Sequence, residues 1–362
     1  MSDRVIQWIR ADIRAIDAYH VPPAEGMIKL DAMENPNPWP GDLAEDWLAR
    51  LRQASVNRYP DPGARVLAER LREHLGIPDG QSLLFGNGSD ELIQVIMMAI
   101  AEPGRVVMGP EPSFVMYRMI AQFLGLEYVG VPLTEQFGLD LARCSAAIDE
   151  HHPAVIFLAY PNNPTGNLFD EEDVLALIHR APGLVVIDEA YHAFARQTFL
   201  HRICEFDNVV VMRTLSKSGL AGLRFGFMVG ADPWIREFDK LRLPYNVNSL
   251  TQQSVTFALE HAERMDRQCA AIVAERGRVM DALRQDGRFR VHPSDANFVL
   301  FHAQEGMAED LFRHLLARNI LIKRFGHAEG PLKDALRVTI GLVEENDAFL
   351  AAVADWEGGS VS

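Results

Sequence analysis

The chain has 362 residues, 48% of them hydrophobic, and its 35 Lys and Arg stand against 50 Asp and Glu for a net charge of −15. That length and apolar content suit about two globular domains with a sizeable core, and the negative balance repels a phosphate backbone, which excludes nucleic acid as an expected partner. Three widely spaced cysteines without a C-x-x-C pair, and the absence of any run of eighteen apolar residues, lead us to expect free thiols in a soluble, cytoplasmic protein with no membrane partner.

Ile6, Ile9, Ile13 and Ile16 fall at spacings of three and four, so residues 5 to 18 read as an amphipathic helix, followed by the extended Tyr19-His20-Val21-Pro22-Pro23. This is an N-terminal arm. From residue 82 onward, short β-rich runs alternate with helical patterns: S-L-L-F-G, R-V-V-M-G-P, A-V-I-F-L-A-Y, L-V-V-I-D-E-A, N-V-V-V-M-R-T-L and F-G-F-M-V-G. Such alternation predicts βαβ units and a mainly parallel sheet covered on both faces, with ligands at the carboxyl ends of its strands. K-L-R-L-P-Y-N-V-N-S-L breaks the pattern at 240 to 250, a long helical stretch follows over about 251 to 286, and a smaller α+β domain closes the chain. The twelve histidines form no metal-ligand cluster, and no metal is expected.

The chemistry gathers at the strand ends. After S-L-L-F, Gly86-Asn87-Gly88-Ser89-Asp90-Glu91 leads into a helical run, an arrangement that aims backbone N–H groups at an anion such as phosphate. The third glycine of a dinucleotide fingerprint is missing, and an ordinary tight turn with Ser89 as helix cap accounts for the stretch equally well. Pro161-Asn162-Asn163-Pro164-Thr165-Gly166 is a rigid turn that can fix the Asn163 amide toward a ligand, although turn chemistry alone explains it. Asp188 directly ends an apolar strand with Tyr191 three residues on, and an acid there should have a cationic partner, as a salt bridge or helix cap supplies. In T-L-S-K-S-G-L-A-G-L-R-F-G, Lys217 stands among small residues after an apolar run, a setting that depresses a lysine's pKa and frees a nucleophilic amine.

A phosphate-binding turn, an amide, an acid, a tyrosine, a secluded lysine and an arginine on successive strand ends match the needs of pyridoxal 5′-phosphate. Its aldehyde requires a lysine, its ring nitrogen a carboxylate, and its phenolic oxygen and phosphate require donors. The series G-S-D-E, Y-P-N-N-P-T-G, D-E-A-Y, T-L-S-K…G-L-A-G-L-R-x-G and L-R-V-T-I-G, with L-D-A-M-E-N-P, N-R-Y-P-D, P-S-F-V-M-Y and A-N-F elsewhere, resembles the fold-type-I, class-II pyridoxal-phosphate-dependent aminotransferases, in particular the histidinol-phosphate aminotransferase family. The resemblance spans nearly the whole chain. It implies an α/β fold-type-I transferase: an arm over residues 1–30 that packs with the small domain or a partner subunit, a large cofactor-binding domain over 31–248 with a mainly parallel seven-stranded sheet covered by helices, and a small α+β domain over 249–357.

The same resemblance implies roles. Lys217 would condense with the cofactor aldehyde and act as acid and base, Asp188 would pair with the ring nitrogen, and Tyr191 and Asn163 would serve the phenolic oxygen while Phe114 stacks on the ring. Ser89 and Asp90 amides, the Ser216 hydroxyl and Arg224 would hold the phosphate, with Tyr59 from a second subunit of a homodimer. Arg337 would bind the substrate's anionic end, helped by Tyr19 of the neighbouring subunit; an ion pair on an edge strand is its plainer reading. Relatives commonly read N-x-N-E-N-P where this chain has Asp31 and Met33, and I-L-I-K-R-F-G-H sets Lys323 and Arg324 where a substrate phosphate could be met, or leaves them as solvated charges. The implied reaction is the exchange of an amino group between L-histidinol phosphate with 2-oxoglutarate and imidazole-acetol phosphate with L-glutamate. Aromatic amino-acid transamination, using Phe114, Tyr117 and Phe298, and threonine-phosphate decarboxylation are the alternatives within the family. A non-enzymatic cofactor-binding module would need a partner-binding segment that the sequence does not offer.

Overall fold

A computed structural model of the chain describes residues 3–18, 22–195, 197–326 and 330–358. Among these residues the strands are β1 (Ile28–Leu30), β2 (Gln81–Gly86), β3 (Val106–Glu111), β4 (Glu127–Pro132), β5 (Val155–Ala159), β6 (Leu184–Asp188), β7 (Val209–Thr214), β8 (Gly226–Ala231), β9 (Arg290–Val291), β10 (Phe298–His302), β11 (Ile320–Arg324) and β12 (Ala335–Thr339). They form two sheets. The larger has seven strands in the order β2-β8-β7-β6-β5-β3-β4, all parallel except β8, which runs against both its neighbours. The smaller has five, β1-β11-β12-β10-β9, with β1 parallel to β11 and the other pairs antiparallel.

The near-continuous apolar runs form central strands because both faces are covered. Val185, Ile187, Val209 and Val211 face one core, shared with Leu67 and Leu71 of the helix Arg65–Leu75 and Val174 and Leu177 of Glu171–Arg180. Leu184, Val186, Val210 and Met212 face the other, against Leu92 and Ile96 of Ser89–Ile100 and Tyr117 and Ile120 of Met116–Leu124. Each such aliphatic side chain contributes about 1.5–3 kcal/mol on full burial, so the two layers dominate the stability of this part. The alternation also decides where the chemistry sits. Asp188 shares the parity of Leu184 and Val186 and therefore lies on the face covered by Ser89–Ile100 and Met116–Leu124. A third core joins the small sheet to the helices Ala262–Asp286, Ala308–Leu316 and Val343–Ala354, and it reaches Leu30 on one side and Tyr191 on the other.

Four local features differ from the sequence reading. The single helix expected over 5–18 is two short ones, Asp3–Trp8 and Ala11–Arg14. Arg10 between them is extended, and its guanidinium donates to the carbonyls of Phe123 and Gln122, while Ile6 and Ile9 remain exposed without a core to face. The long stretch after 250 is broken at His261 into Ser249–Glu260 and Ala262–Asp286. The edge strand β4 and the three-residue β1 were not foreseen, since one is only partly buried and the other too short to show a period. Among the described residues no helix is long and apolar enough to cross a membrane, and Cys144, Cys204 and Cys269 are all free thiols.

Candidate active site

The carboxyl ends of β5, β6 and β7 open into a cavity, where Ala159, Asp188 and Thr214 stand beside Asn163, Tyr191, Lys217 and Arg224. Asp188 forms its inner wall at 3% exposure. One carboxylate oxygen, Oδ1, accepts from the Ala190 N–H at 3.1 Å, and Oδ2 accepts from the Tyr117 hydroxyl at 2.7 Å. The cationic partner expected for this acid is not there: among the described residues no lysine or arginine pairs with it, because β6 delivers it into a layer built from apolar helices and the Tyr117 phenol. Burial is accordingly the main cause that raises its pKa from 3.8 to about 6, only partly opposed by the two hydrogen bonds.

Lys217 follows β7 in a tight turn, Ser216–Leu220, whose glycine Gly219 adopts φ +113°. Its Nζ faces the cavity, donates to the Ala32 carbonyl at 3.3 Å and lies 5.9 Å from the centre of the Tyr191 ring. Burial first, then the positive charge of Arg337, lowers its pKa from 10.5 to about 8, against the opposing pull of Asp90 and Glu34. A substantial fraction is therefore the neutral amine near physiological pH.

Asn163 links two of the other residues. Its Nδ2 donates to the Tyr191 hydroxyl at 3.0 Å, and its Oδ1 accepts from Arg337 Nη1. Arg337, on β12 and 6% exposed, uses Nη2 to bind the Asp31 carbonyl at 2.9 Å, and its guanidinium lies over the Phe298 ring at 5.1 Å. The edge of Phe298 meets Tyr191 in turn, at 5.2 Å and 81°. Burial drives the Tyr191 phenol well above its ordinary pKa, so it stays protonated at neutral pH.

The glycine turn after β2 ends at Gly88, which caps the helix Ser89–Ile100 in a left-handed conformation, φ +89°, with no side-chain cap. Ser89 is thus the first helical residue rather than the cap, and the helix start offers its N–H groups outward. Arg224 lies against this turn: a Cβ on Gly88 would stand 2.6 Å from its Nη2 and push the guanidinium aside, and φ +89° itself favours glycine. Arg224 Nη1 reaches the Ser216 hydroxyl at 3.4 Å, and Nη2 pairs with Asp90 at 3.2 Å. Helix start, hydroxyl and guanidinium together form a cradle for an anion.

Phe114 lines the same cavity, edge-on to Tyr117 at 5.5 Å. Ser89, Asp90, Phe114, Asn163, Asp188, Tyr191, Ser216, Lys217 and Arg224 thus converge on one site, and Arg337 joins it through Asn163. Tyr59 does not: it is 81% exposed and stacks on Tyr245 at 4.5 Å, away from the cavity of its own chain. Tyr19 lies outside the described residues. Lys323 and Arg324 point apart. Lys323 is opposite Arg337 in the sheet register and exposed, whereas Arg324 is held by Glu309 at 2.7 Å over the Phe312 ring.

Sequence reasoning missed three contributions. Tyr117, placed with the substrate-facing aromatics, has its hydroxyl spent on Asp188; the signal was its spacing of three from Phe114 in P-S-F-V-M-Y. The carbonyls of Asp31 and Ala32 serve Arg337 and Lys217, and main-chain acceptors leave no sequence signal. Met33 lines the cavity at φ +54°, a conformation that asparagine tolerates better than methionine.

The chain matches the aminotransferase class I and II family over residues 25–353. It is 53% identical over 352 residues to histidinol-phosphate aminotransferase 2 of Nitrosococcus oceani, covering 97% of this chain and 98% of that protein. To histidinol-phosphate aminotransferase of Chromobacterium violaceum it is 48% identical, covering 98% and 99%. In fold it resembles histidinol-phosphate aminotransferase from Sinorhizobium meliloti, solved in complex with pyridoxal 5′-phosphate, with a TM-score of 0.84 at 24% identity over 96% of each chain. The chain belongs to the class I and II aminotransferases.

Proposed function

We propose that the protein is a pyridoxal-phosphate-dependent aminotransferase that interconverts L-histidinol phosphate and 2-oxoglutarate with imidazole-acetol phosphate and L-glutamate, a step of histidine biosynthesis. Relatives with that name at 53% and 48% identity over almost the whole chain support the substrate. One observation carries the cofactor: Asp188 is a buried carboxylate with no cationic partner among the described residues, in the same cavity as a lysine and an anion cradle. A protonated ring nitrogen supplies the missing cation.

When bound, pyridoxal 5′-phosphate supplies an aldehyde that reacts with amines and a protonated ring that withdraws electrons from the carbon bearing the substrate's amine. Asp188 would hold the ring N–H. The N–H groups of Ser89 and Asp90, the Ser216 hydroxyl and Arg224 would bind the phosphate, and Phe114 would pack on the ring face. Tyr191 and Asn163 would hydrogen-bond the phenolic oxygen. Lys217, with its pKa near 8, would present a neutral amine to the aldehyde and would serve as the acid and base that moves the substrate's α-proton. Arg337 receives the substrate's anionic end, and since it also holds Asn163, binding there is felt at the phenolic oxygen. Phosphate and carboxylate are both good partners for a planar guanidinium, which suits a site that takes two different substrates in turn.

Its substrates are small molecules. The arrangement proposed for the whole protein is a homodimer in the cytoplasm, with Tyr59 and Tyr19 of one subunit completing the other's site; the exposure of Tyr59 in the single chain supports this. The proposed division is an arm (1–30), a large domain (31–248) and a small domain (249–357). In its favour, β2 to β8 build one sheet while β9 to β12 build the other, which β1 at the end of the arm joins as an edge strand.

Titrating the purified, yellow protein with L-histidinol phosphate, L-phenylalanine and L-glutamate tests the reading. Loss of the visible band at far lower histidinol phosphate than phenylalanine is expected. A preference for phenylalanine would assign it to aromatic amino acids instead, and release of carbon dioxide from threonine phosphate would make it a decarboxylase.

A further inference from the structure

We propose that Tyr117 is a positioning residue, its hydroxyl fixing the orientation and charge of Asp188 so that the carboxylate takes the cofactor's ring N–H. This rests on the cofactor reading above and adds a residue to it.

Tyr117 is completely buried, on the first turn of Met116–Leu124. Its ring is held on two sides, stacked on Phe157 at 4.7 Å and 17° and met edge-on by Phe114 at 5.5 Å and 86°. A phenol hydroxyl buried so deeply is costly without an acceptor, and Tyr117 donates to Asp188 Oδ2 at 2.7 Å. With Ala190 N–H on Oδ1, each carboxylate oxygen has one protein donor, and the carboxylate plane is fixed. The lone pairs left over serve the cavity that Asp188 lines.

Charge is the second effect. Asp188 sits where burial favours its protonated form, and a protonated acid has an O–H to donate rather than an acceptor for a ring N–H. The titratable groups around it are Asp90 from the start of Ser89–Ile100, Tyr117, and Glu189, next to it on the chain with its carboxylate turned to Arg213 and Thr198; Tyr128 of β4 and Tyr191 adjoin Tyr117, and Lys217 and Arg224 line the same cavity. Asp90 and Glu189 both push Asp188 further toward protonation. Among the described residues Tyr117 is the side chain that donates to it and keeps it ionised. Phe114 and Tyr117 are three residues apart, so one turn of chain carries both the residue that packs on the ring face and the donor that orders the ring's carboxylate.

The experiment is Tyr117→Phe in the full-length protein, which keeps the stacked ring and removes only the oxygen. Three quantities are read: the pH midpoint of the visible-absorbance titration of the reconstituted protein, kcat and KM, and the affinity of the cofactor-free protein for pyridoxal phosphate and for its deaza analogue lacking the ring nitrogen. Losing the donor makes Asp188 the stronger base, which draws the proton off the ring nitrogen and weakens the ring's pull on the chromophore. The midpoint should rise by about one pH unit and kcat should fall about tenfold with KM within about twofold, the scale of one charge-assisted hydrogen bond. Affinity for pyridoxal phosphate should fall while that for the deaza analogue stays unchanged.

An unmoved midpoint with unchanged kcat overturns the proposal, as does an equal loss of affinity for both ligands, which marks a packing role alone. Should the variant not fold, 3,5-difluorotyrosine at position 117 decides: a stronger donor must move the midpoint down, and no movement refutes the proposal. Failure of the wild-type protein to take up pyridoxal phosphate would instead overturn the cofactor reading, and it is seen before any variant is compared.

Discussion

Asp188→Asn should stabilise the cofactor-free protein at neutral pH. Asp188 titrates near 6 in the folded chain against an ordinary 3.8, with burial the leading cause. The folded state therefore holds this proton more tightly than the unfolded state does. The group's favourable contribution is present below about pH 4 and is lost as pH rises through about 6, when the folded protein must ionise a carboxylate in a dry place. The cost to the wild type is about 0.5 kcal/mol at pH 4 and about 3 kcal/mol at pH 7.5 by proton linkage. Asparagine has no charge to desolvate; its amide oxygen still accepts from the Ala190 N–H, and the Tyr117 hydroxyl can turn to accept from its NH₂. Reversing that bond has some price, but the price is the same at both pH values. The stability of the variant relative to wild type should therefore improve by about 2 kcal/mol between pH 4 and pH 7.5. Urea unfolding of both cofactor-free proteins, followed by tryptophan fluorescence and circular dichroism, measures this. Saturating pyridoxal phosphate should reverse the order at pH 7.5, because only the carboxylate gains from a ring N–H. A relative stability that does not change with pH would refute the claim that Asp188 is held ionised against its surroundings.

Lys217→Ala should abolish measurable transamination and leave no cofactor attached after borohydride reduction, which a mass spectrum reads directly. In the wild type, the rate at which cofactor-free protein captures pyridoxal phosphate should rise with pH to a midpoint near 8, where the neutral amine becomes the major form; a midpoint near the ordinary 10.5 in rapid mixing would contradict the dry setting of the lysine. Arg337→Lys, which cannot span both Asn163 Oδ1 and the Asp31 carbonyl, should raise KM for both substrates by about tenfold or more, the scale of one charged hydrogen bond. Gly88→Ala should weaken cofactor binding by displacing Arg224 and straining a residue at φ +89°, with little effect on KM, as equilibrium dialysis of pyridoxal phosphate would show.

The parts of the site that could be read from the sequence are those where a residue type conflicts with its neighbours. An acid closing L-V-V-I and a lysine among small residues have no place in an ordinary core, and both line the cavity. The central strands of the large sheet were legible for a related reason: strands buried on both faces are apolar at every position, which β5, β6 and β7 show, whereas the half-buried edge strand β4 was not. What escaped depends on which face meets which. The pairing of Tyr117 with Asp188 follows from the parity of β6 and the seating of Met116–Leu124 on that side, and neither is a property of a local stretch. The amphipathic pattern at 5–18 misled for the opposite reason, since Ile6 and Ile9 are exposed with no core to face and Ile13 and Ile16 are only half-buried.

The position of β1 has a consequence for synthesis. Ile28–Leu30 pairs with Ile320–Ile322, and the two residues after it offer carbonyls to Arg337 and Lys217. On a ribosome, then, this segment emerges well before its strand partner and must wait roughly 290 residues for it. At about 5–20 residues per second that is about 15 to 60 s. Over that interval the large sheet, complete once Ala231 has emerged, can fold around Lys217 and Asp188 while the main-chain acceptors for Lys217 and Arg337 are still undocked. The nascent chain thus acquires its reactive amine early and the means of orienting it last.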